Sequence, residues 1–322
     1  MDTVPPAFLE HLCSVLYSKG LRSAQELSGH YRIIASYAYQ NRASYASHVE
    51  GGIEKRMYLK YQGSRRVVNT HEEIEAVPKK FVHNVTINSN GSPMGRASYE
   101  IVKRFPYSLH HVIFHSSAIS EAWVDFAWSL RTLGIVSIRK KLEDDAVRLF
   151  QKLVDGRKLF RLEIKEQACE GGTLEIVKSV LCQDQFEELR IKGYHKRWVS
   201  TVVGDLLQFW SENSEKVRGR HIGVEHNCEG GIDQLKEFVL QRAAKRAQTV
   251  SGFHEALKIC TKEECDFIDR EFYNNFLVYR KSPLVYKFED AEEGEQRRIY
   301  IAFNVGNAEP LHQATVFCIT FA

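Results

Sequence analysis

Proline, methionine and tryptophan are scarce, at seven, three and four of 322 residues. No apolar run approaches the roughly 18 residues that cross a bilayer, so no membrane partner is expected. Cysteine is sparse and scattered: Cys13, Cys169, Cys182, Cys228, Cys260, Cys265 and Cys318 lack the paired short spacings of a zinc site. An odd set of this kind reads as reduced thiols, although Cys260 and Cys265 lie close together on a segment that reads as helix. The opening residues have no cationic stretch ahead of an apolar core. A secretory signal is therefore not expected, a cytoplasmic or nuclear location is, and the sequons at Asn84 and Asn90 read as accidental. A large excess of one charge is also missing: 44 basic against 41 acidic side chains give +3, which implies no nucleic-acid partner. No strand is followed by a glycine-rich phosphate loop, and no cofactor is implied.

What is present is enough apolar residue, 43%, for a sizeable core, and a repeating pattern in the middle of the chain. Strand-like pieces recur as "VHNVTI", "LHHVIF", "LGIVSI", "LFRLEI", "FEELRI" and the weaker "GRHIGV". Their fourth residues, Val85, Val112, Val136, Leu162, Leu189 and Ile222, stand 27, 24, 26, 27 and 33 apart. Between them lie stretches such as "LEDDAVRLFQKLV" and "TLEIVKSVLCQ", with apolar residues three or four apart, the period of a one-sided helix. A strand and a helix every 26 or so residues is a pattern similar to a degenerate leucine-rich repeat. Asn90 and Asn227 occupy the polar position that follows the strand, where other units carry Ser117, Lys141, Gln167 and Tyr194. An ordinary alternating β/α domain is the other reading of the same pattern.

Side chains alternate faces along a strand. With Val85 and Ile87 inward, the outward set is Asn84, Thr86 and Asn88, then His111, Ile113 and His115, then Ile135, Ser137 and Arg139. Arg161, Glu163 and Lys165 follow, then Glu188, Arg190 and Lys192, and finally His221, Gly223 and Glu225. Arg139, Arg161, Lys165, Arg190 and Lys192 outnumber Glu163 and Glu188, which suits an acidic or phosphorylated protein ligand. A solvated charged sheet face is the plainer account of the same residues.

At the start of the chain, Phe8, Leu9, Leu12, Val15 and Leu16 share a helical stripe, and Pro5 and Pro6 stand where a helix begins without losing a hydrogen bond. Gly20 interrupts it, and Leu21, Leu27, Tyr31 and Ile34 continue an apolar face. About 45 residues are too few for an independent core, so this unit must pack on the body or on another protein. The stretch resembles an F-box, the module that docks substrate receptors onto the Skp-type adaptor of SCF ubiquitin ligases. The family's Leu-Pro pair falls on Val4-Pro5, its paired apolar residues on Phe8 and Leu9, and its next helical positions on Leu12 and Leu16. Leu21, Leu27 and Tyr31 take the places of later family positions, with Ala7, Gly20 and Tyr31 as departures from the family's Glu, Asp and Trp. The whole chain looks similar to divergent nematode F-box proteins with leucine-rich repeats. The resemblance implies an adaptor-binding set of Val4, Pro5, Phe8, Leu9, Leu12, Leu16, Leu21, Leu27 and Tyr31. It also implies a role in ubiquitination and protein degradation. A helical cap on the first repeat is the structural alternative.

The expected fold class is α/β: an F-box-like helical module over 1–45, a linker or first cap over 46–80, a leucine-rich-repeat-like solenoid over 81–250, and a C-terminal β-strand cap within 251–322. "IEKRMYLKYQ" reads as strand or helix, "THEEIEAVPKKF" as a capped helix ending near Pro78, and "HEALKICTKEECDFIDREFYNNF" as continued helix. "LVYKFED", "RRIYIAFN" and "ATVFCITFA" read as strands. Trp198 and Trp210 read as core. No Cys, His and Asp or Asn stand in a known catalytic context, and "HEEIEAV" lacks the second His of a zinc protease helix. His111 and His115 share a face without a third ligand, which reads as ordinary surface. The expectation is thus a non-enzymatic substrate receptor of an SCF-type ligase. The rival is a repeat scaffold for protein interaction that never meets the adaptor. An exposed Phe8, Leu9 and Leu12 face separates the first from the second.

Overall fold

The computed structural model describes residues 4–16, 18–89, 96–131, 133–193, 198–245, 252–271, 285–292, 295–304 and 315–322. It is mixed α/β and divides into two compact units, Met1–Val136 and Ser137–Ala322. The division falls inside the stretch 81–250 that the repeat pattern treats as one body.

The first unit opens with three helices, α1 (Pro6–Val15), α2 (Ser18–Ala24) and α3 (Gly29–Asn41). The Pro5 carbonyl accepts the Phe8 and Leu9 N–H groups at 3.0 and 3.3 Å, so the prolines start α1 as their missing donors allow. Cys13, Leu21, Ala24 and Ala35 form a small core between the helices, with Leu16, Tyr31 and Ile34 packed around it. Then β1 (Ala43–Glu50) and β2 (Ile53–Tyr61) form a hairpin whose Gly51 and Gly52 have φ of 59° and 75°. Two positive φ values in a two-residue turn are what a type I′ hairpin needs, and glycine adopts them without a Cβ clash. The stretch 46–80, expected as a linker or first cap, thus carries the rest of β1 and β2 in its first half. Polar Ser47 and His48 interrupt the apolar run of β1, which hid the strand, but alternation and the Gly-Gly turn supply its signal.

β1 pairs in parallel with β4 (Val82–Ser89), and β4 with β5 (Leu109–Phe114); β3 (Val67–Val68) borders β2. The order in this unit is β3-β2-β1-β4-β5. Thr70 caps α4 (His71–Glu75) by accepting the Glu73 N–H, and that helix stops before Pro78 as the sequence suggests. α5 (Arg96–Arg104) and α6 (Glu121–Ser129) bring Phe105 against Tyr45 and Trp123 against Phe114, at centroid distances of 4.7 and 4.1 Å. β6 (Leu133–Ile138) carries the division between the units.

The second unit alternates α7 (Asp144–Asp155), β7 (Arg161–Lys165), α8 (Gly172–Leu181), β8 (Glu188–Gly193), α9 (Val202–Val217), β9 (His221–His226) and α10 (Glu229–Lys245). It continues through α11 (Phe253–Ala256), β10 (Lys258–Ile259), α12 (Lys262–Glu271), β11 (Val285–Glu292), β12 (Glu295–Asn304) and β13 (Val316–Phe321). Its strands run β7-β8-β9-β13-β12-β11-β10, parallel as far as β9 and antiparallel after it. The aromatic and β-branched ending thus makes strands that close the parallel set. Leu162, Leu189 and Ile222 are register partners, as their equivalent places in the repeat require; Val112 instead faces Ile87, two residues past Val85, which keeps the same face inward. Trp210 of α9 stacks on Phe321 of β13 and meets Phe238 of α10 edge-on.

Other expectations are corrected. Trp198 is not a core helical residue: it is half-buried in the loop before α9, its indole N–H held by the Ser200 carbonyl at 2.8 Å. Cys260 follows the short strand β10, so it shares no helix with Cys265 of α12; the β-branched Ile259 and pairing to β11 break the helical run. The readings at Asn90 and Tyr194 and over 305–313 lie outside the described residues.

Candidate functional site

Two surfaces hold the residues singled out in the sequence, one in each unit. On the N-terminal helices the apolar side chains divide between inside and outside. Leu9 and Leu21, expected at the adaptor face, are buried instead, because the small helical bundle needs them as its own interior. Val4, Leu12, Leu16 and Tyr31 are half-buried. Pro5, Phe8 and Leu27 are exposed, Phe8 by 57%. Val15, from the stripe already named on α1, and Ile33 and Tyr37, which the sequence reading did not single out, add to this outer set at 57%, 66% and 57%. The signal for Ile33 and Tyr37 was a second apolar stripe of α3, on the side opposite Ala35.

The helices are anchored to the rest of the first unit by a residue with no sequence signal. Arg42 is buried, and its guanidinium donates to the carbonyls of Leu16, Ser14 and Cys13 at 2.6, 3.2 and 3.4 Å, which end α1 without intrahelical partners. A cation at a helix C-terminus also meets the negative end of the dipole. Burial, only partly offset by Cys13, pulls its pKa down to about 10. His83 of β4 lies 3.5 Å away, and burial together with Arg42 lowers its imidazole to about 4. Tyr37 meets Phe81 edge-on at 5.5 Å.

The second surface is the face of β7, β8 and β9 that does not meet the helices. Register sets Arg161 opposite Glu188, Glu163 opposite Arg190, and Lys192 between Lys165 and Glu225. Opposite charges therefore stand across strands at Arg161–Glu188, Glu163–Arg190 and Lys192–Glu225, where their side chains are close enough to pair, whereas Lys165 faces a like charge in Lys192. Glu163 bonds Arg139 at 2.8 Å, Lys192 at 2.6 Å and the Ser137 hydroxyl at 2.9 Å. Lys192 also reaches Glu225 at 3.7 Å, and Arg190 reaches Glu188 at 3.0 Å and Glu225 at 4.0 Å. Arg161 pairs with Glu187 at 2.8 Å and approaches Glu188 at 3.8 Å.

Burial would raise the Glu163 carboxyl, but Lys192, Arg139 and Ser137 hold it below its ordinary range. Arg190 stays charged despite its burial because Glu188 and then Glu225 and Glu163 outweigh the desolvation. The strip expected to be an open basic patch is thus a ladder of matched charges. Glu187 and Glu225, which counting Glu163 and Glu188 alone left out, bring four carboxylates against the five cations. Ser137, Glu188 and His221, expected to point to solvent, are buried among their neighbours.

His111 of β5 is engaged within the first unit: its Nδ1 accepts the Ile135 N–H at 2.8 Å, and Nε2 lies 3.4 Å from Asn84 Oδ1. That arrangement fixes the neutral tautomer with the proton on Nε2. Among the described residues no three His, Cys, Asp or Glu side chains converge as a metal site would require. Burial lifts the Cys169 thiol and, less the effect of a backbone hydrogen bond, pushes Cys228 up to about 12. Cys260 is also driven to about 12, by burial and then Glu264. These thiols are protonated at neutral pH. Among the described residues no helix is long and apolar enough to cross a membrane. No family model, curated protein or solved structure matches this chain.

Proposed function

We propose that this chain is a protein-interaction receptor with an F-box-like head and a leucine-rich-repeat-like body, acting as the substrate-recognition subunit of an SCF-type ubiquitin ligase. The observation that carries the reading is the exposed apolar set Phe8, Val15, Leu27, Ile33 and Tyr37 on helices whose own core is already filled. A water-facing apolar set of this size on a small helical unit favours burial against a partner. The adaptor would cover it, and the open face of β7–β9 would hold a target protein. The matched ladder favours a target that offers both charge signs over a purely acidic one, since a lone anion must displace Glu163 or Glu225 from cations they already satisfy. The chain would do no chemistry itself, and would raise the local concentration of target near a ubiquitin-conjugating enzyme.

Co-purification with a Skp-type adaptor tests the reading. Phe8→Asp with Leu27→Asp changes exposed positions only and is the variant of choice, whereas Leu9→Asp would bury a charge. Capture by the wild type and loss in the folded variant is the expected result. Failure of the wild type to bind would replace this reading with a non-enzymatic scaffold whose helices serve as a cap. The anchoring through Arg42 supports that second reading.

A further inference from the structure

The first unit's sheet ends in an incomplete edge. β2 runs from Ile53 to Tyr61, yet β3 pairs only with Leu59 and Lys60. Among the described residues, Ile53–Tyr58 has a strand on the β1 side and none on the other. Six residues of open strand span roughly 20 Å. In an antiparallel strand alternate residues turn both their N–H and C=O to the same side, so about three residues present unpaired main-chain groups outward.

The side chains along this edge share one sign. Lys55, Arg56 and Lys60 on β2, and Arg65 in the turn to β3, are exposed, and none of them forms an ion pair with a described carboxylate. The acidic groups nearby are accounted for differently. Glu54 is taken by Tyr45 and by Arg104 at 3.5 Å, and Glu73 by Arg66 at 3.2 Å, which leaves Glu50 exposed at the hairpin tip. Arg56, Tyr58 and Lys60 follow one another on one face of the strand, and their partners across β1 are His48, Ala46 and Ser44, none of them acidic. Ile53, Tyr58 and Val67 are exposed at the same edge, by 58%, 43% and 54%.

We infer that this edge binds an extended acidic segment of a partner protein, which adds a strand beside β2 with carboxylates at alternate positions facing Arg56 and Lys60. The open main-chain groups require a strand, because only an extended chain meets donors and acceptors at this spacing. The charge selects its sign. A second copy of this chain would bring its own Lys55, Arg56 and Lys60 against the same residues, and like charges directly opposite oppose pairing. Tyr58, Ile53 and Val67 give apolar contact between the charges. The inference is independent of the adaptor reading, since Phe8 and Leu27 lie on the opening helices and not on β2.

The test is fluorescence anisotropy of the full chain with a labelled peptide of about eight residues alternating Glu with Val. Two further peptides carry N-methyl groups on the odd or on the even main-chain nitrogens, which blocks donation along one edge and leaves the side chains intact. Saturable binding of the parent peptide is expected, with at least about tenfold weaker binding for one methylated peptide and near-parent binding for the other. Arg56→Glu with Lys60→Glu alters exposed side chains and should weaken the parent by about tenfold or more while the circular dichroism spectrum is kept. A Phe8→Asp, Leu27→Asp chain should bind the peptide as the wild type does, which separates this result from loss of the adaptor. Equal binding of both methylated peptides would overturn strand addition, and no binding of the parent would overturn the site. Equally tight binding of a short single-stranded DNA would show a polyanion surface instead, and dimerisation that the peptide reverses would assign the edge to a second copy.

Discussion

Arg42 illustrates how a single buried cation can be satisfied without a carboxylate. Its partners are the terminal carbonyls of α1, so removing the guanidinium leaves those groups without a donor and loosens the opening helices together. Arg42→Ala is expected to cost about 2–3 kcal/mol, measured by urea denaturation against the wild type. Histidine sets the acid limit of stability. His221 of β9 is buried with Nδ1 2.9 Å from the Thr320 hydroxyl, and burial followed by repulsion from Arg220 lowers it to about 4. The ordinary value is about 6.5, so the unfolded chain takes up this proton first as pH falls. The neutral ring therefore contributes full stability above about pH 6.5, and that contribution is lost as pH drops towards 4, at up to about 1.4 kcal/mol per pH unit. His83 acts in the same direction and over the same window within its own unit. Denaturation from pH 7 to 4.5 should show this slope, and His221→Asn should flatten it; an unchanged slope would mean that another group titrates there.

At the scale of elements, the ladder on β7–β9 is held together by its carboxylates more than by its cations. Glu163 joins Ser137, Arg139 and Lys192, so Glu163→Gln removes the carboxylate 2.8 Å from Arg139 and 2.6 Å from Lys192, leaving Lys192 the longer 3.7 Å pair with Glu225. A loss of about 2–3 kcal/mol is expected, larger than that of any exposed pair such as Arg66 with Glu73. Comparison of Glu163→Gln and Arg66→Gln by thermal melting checks the order. The start of α10 depends on close approach: a Cβ at Gly230 would stand 2.4 Å from the Cβ of Trp198. Gly230→Ala should therefore displace the Trp198 loop and cost about 1–3 kcal/mol, read as a fall in melting temperature with a shift in tryptophan fluorescence. Gly51 and Gly52 play the other part of glycine, allowing the turn that makes β1 and β2 a hairpin.

At the scale of the molecule, the proposed role needs both surfaces at once. With adaptor, cullin assembly, ubiquitin-activating and ubiquitin-conjugating enzymes, ATP and a bound target present, the wild type should support transfer of ubiquitin to the target, and the Phe8→Asp, Leu27→Asp chain should bind target equally but support only background transfer. Equal transfer by both would separate ubiquitination from the opening helices. The small net charge of +3 is consistent with recognition by local patterns rather than by a global field, and Lys55, Arg56 and Lys60 along β2 form one such pattern.

The sequence by itself determined the alternation of strand and helix in the middle of the chain, the inward residues of the repeated strands there, and the helical opening. Those features follow from local periodicity: every two residues for strands and every three to four for helices, which do not depend on distant parts of the chain. Its spacing also placed Leu162, Leu189 and Ile222 in one register. Only the tertiary structure decided which apolar residues of the opening helices turn outward, since Leu9 and Phe8 are adjacent and equally apolar, and packing against neighbouring helices separates them. It also paired Lys192 with Glu225 from the next strand, made Arg42 a cap 26 residues from Leu16, and left the edge of β2 open. Each of these depends on which strands and helices become neighbours, and that choice rests on burial summed over the whole unit rather than on any local run of residues.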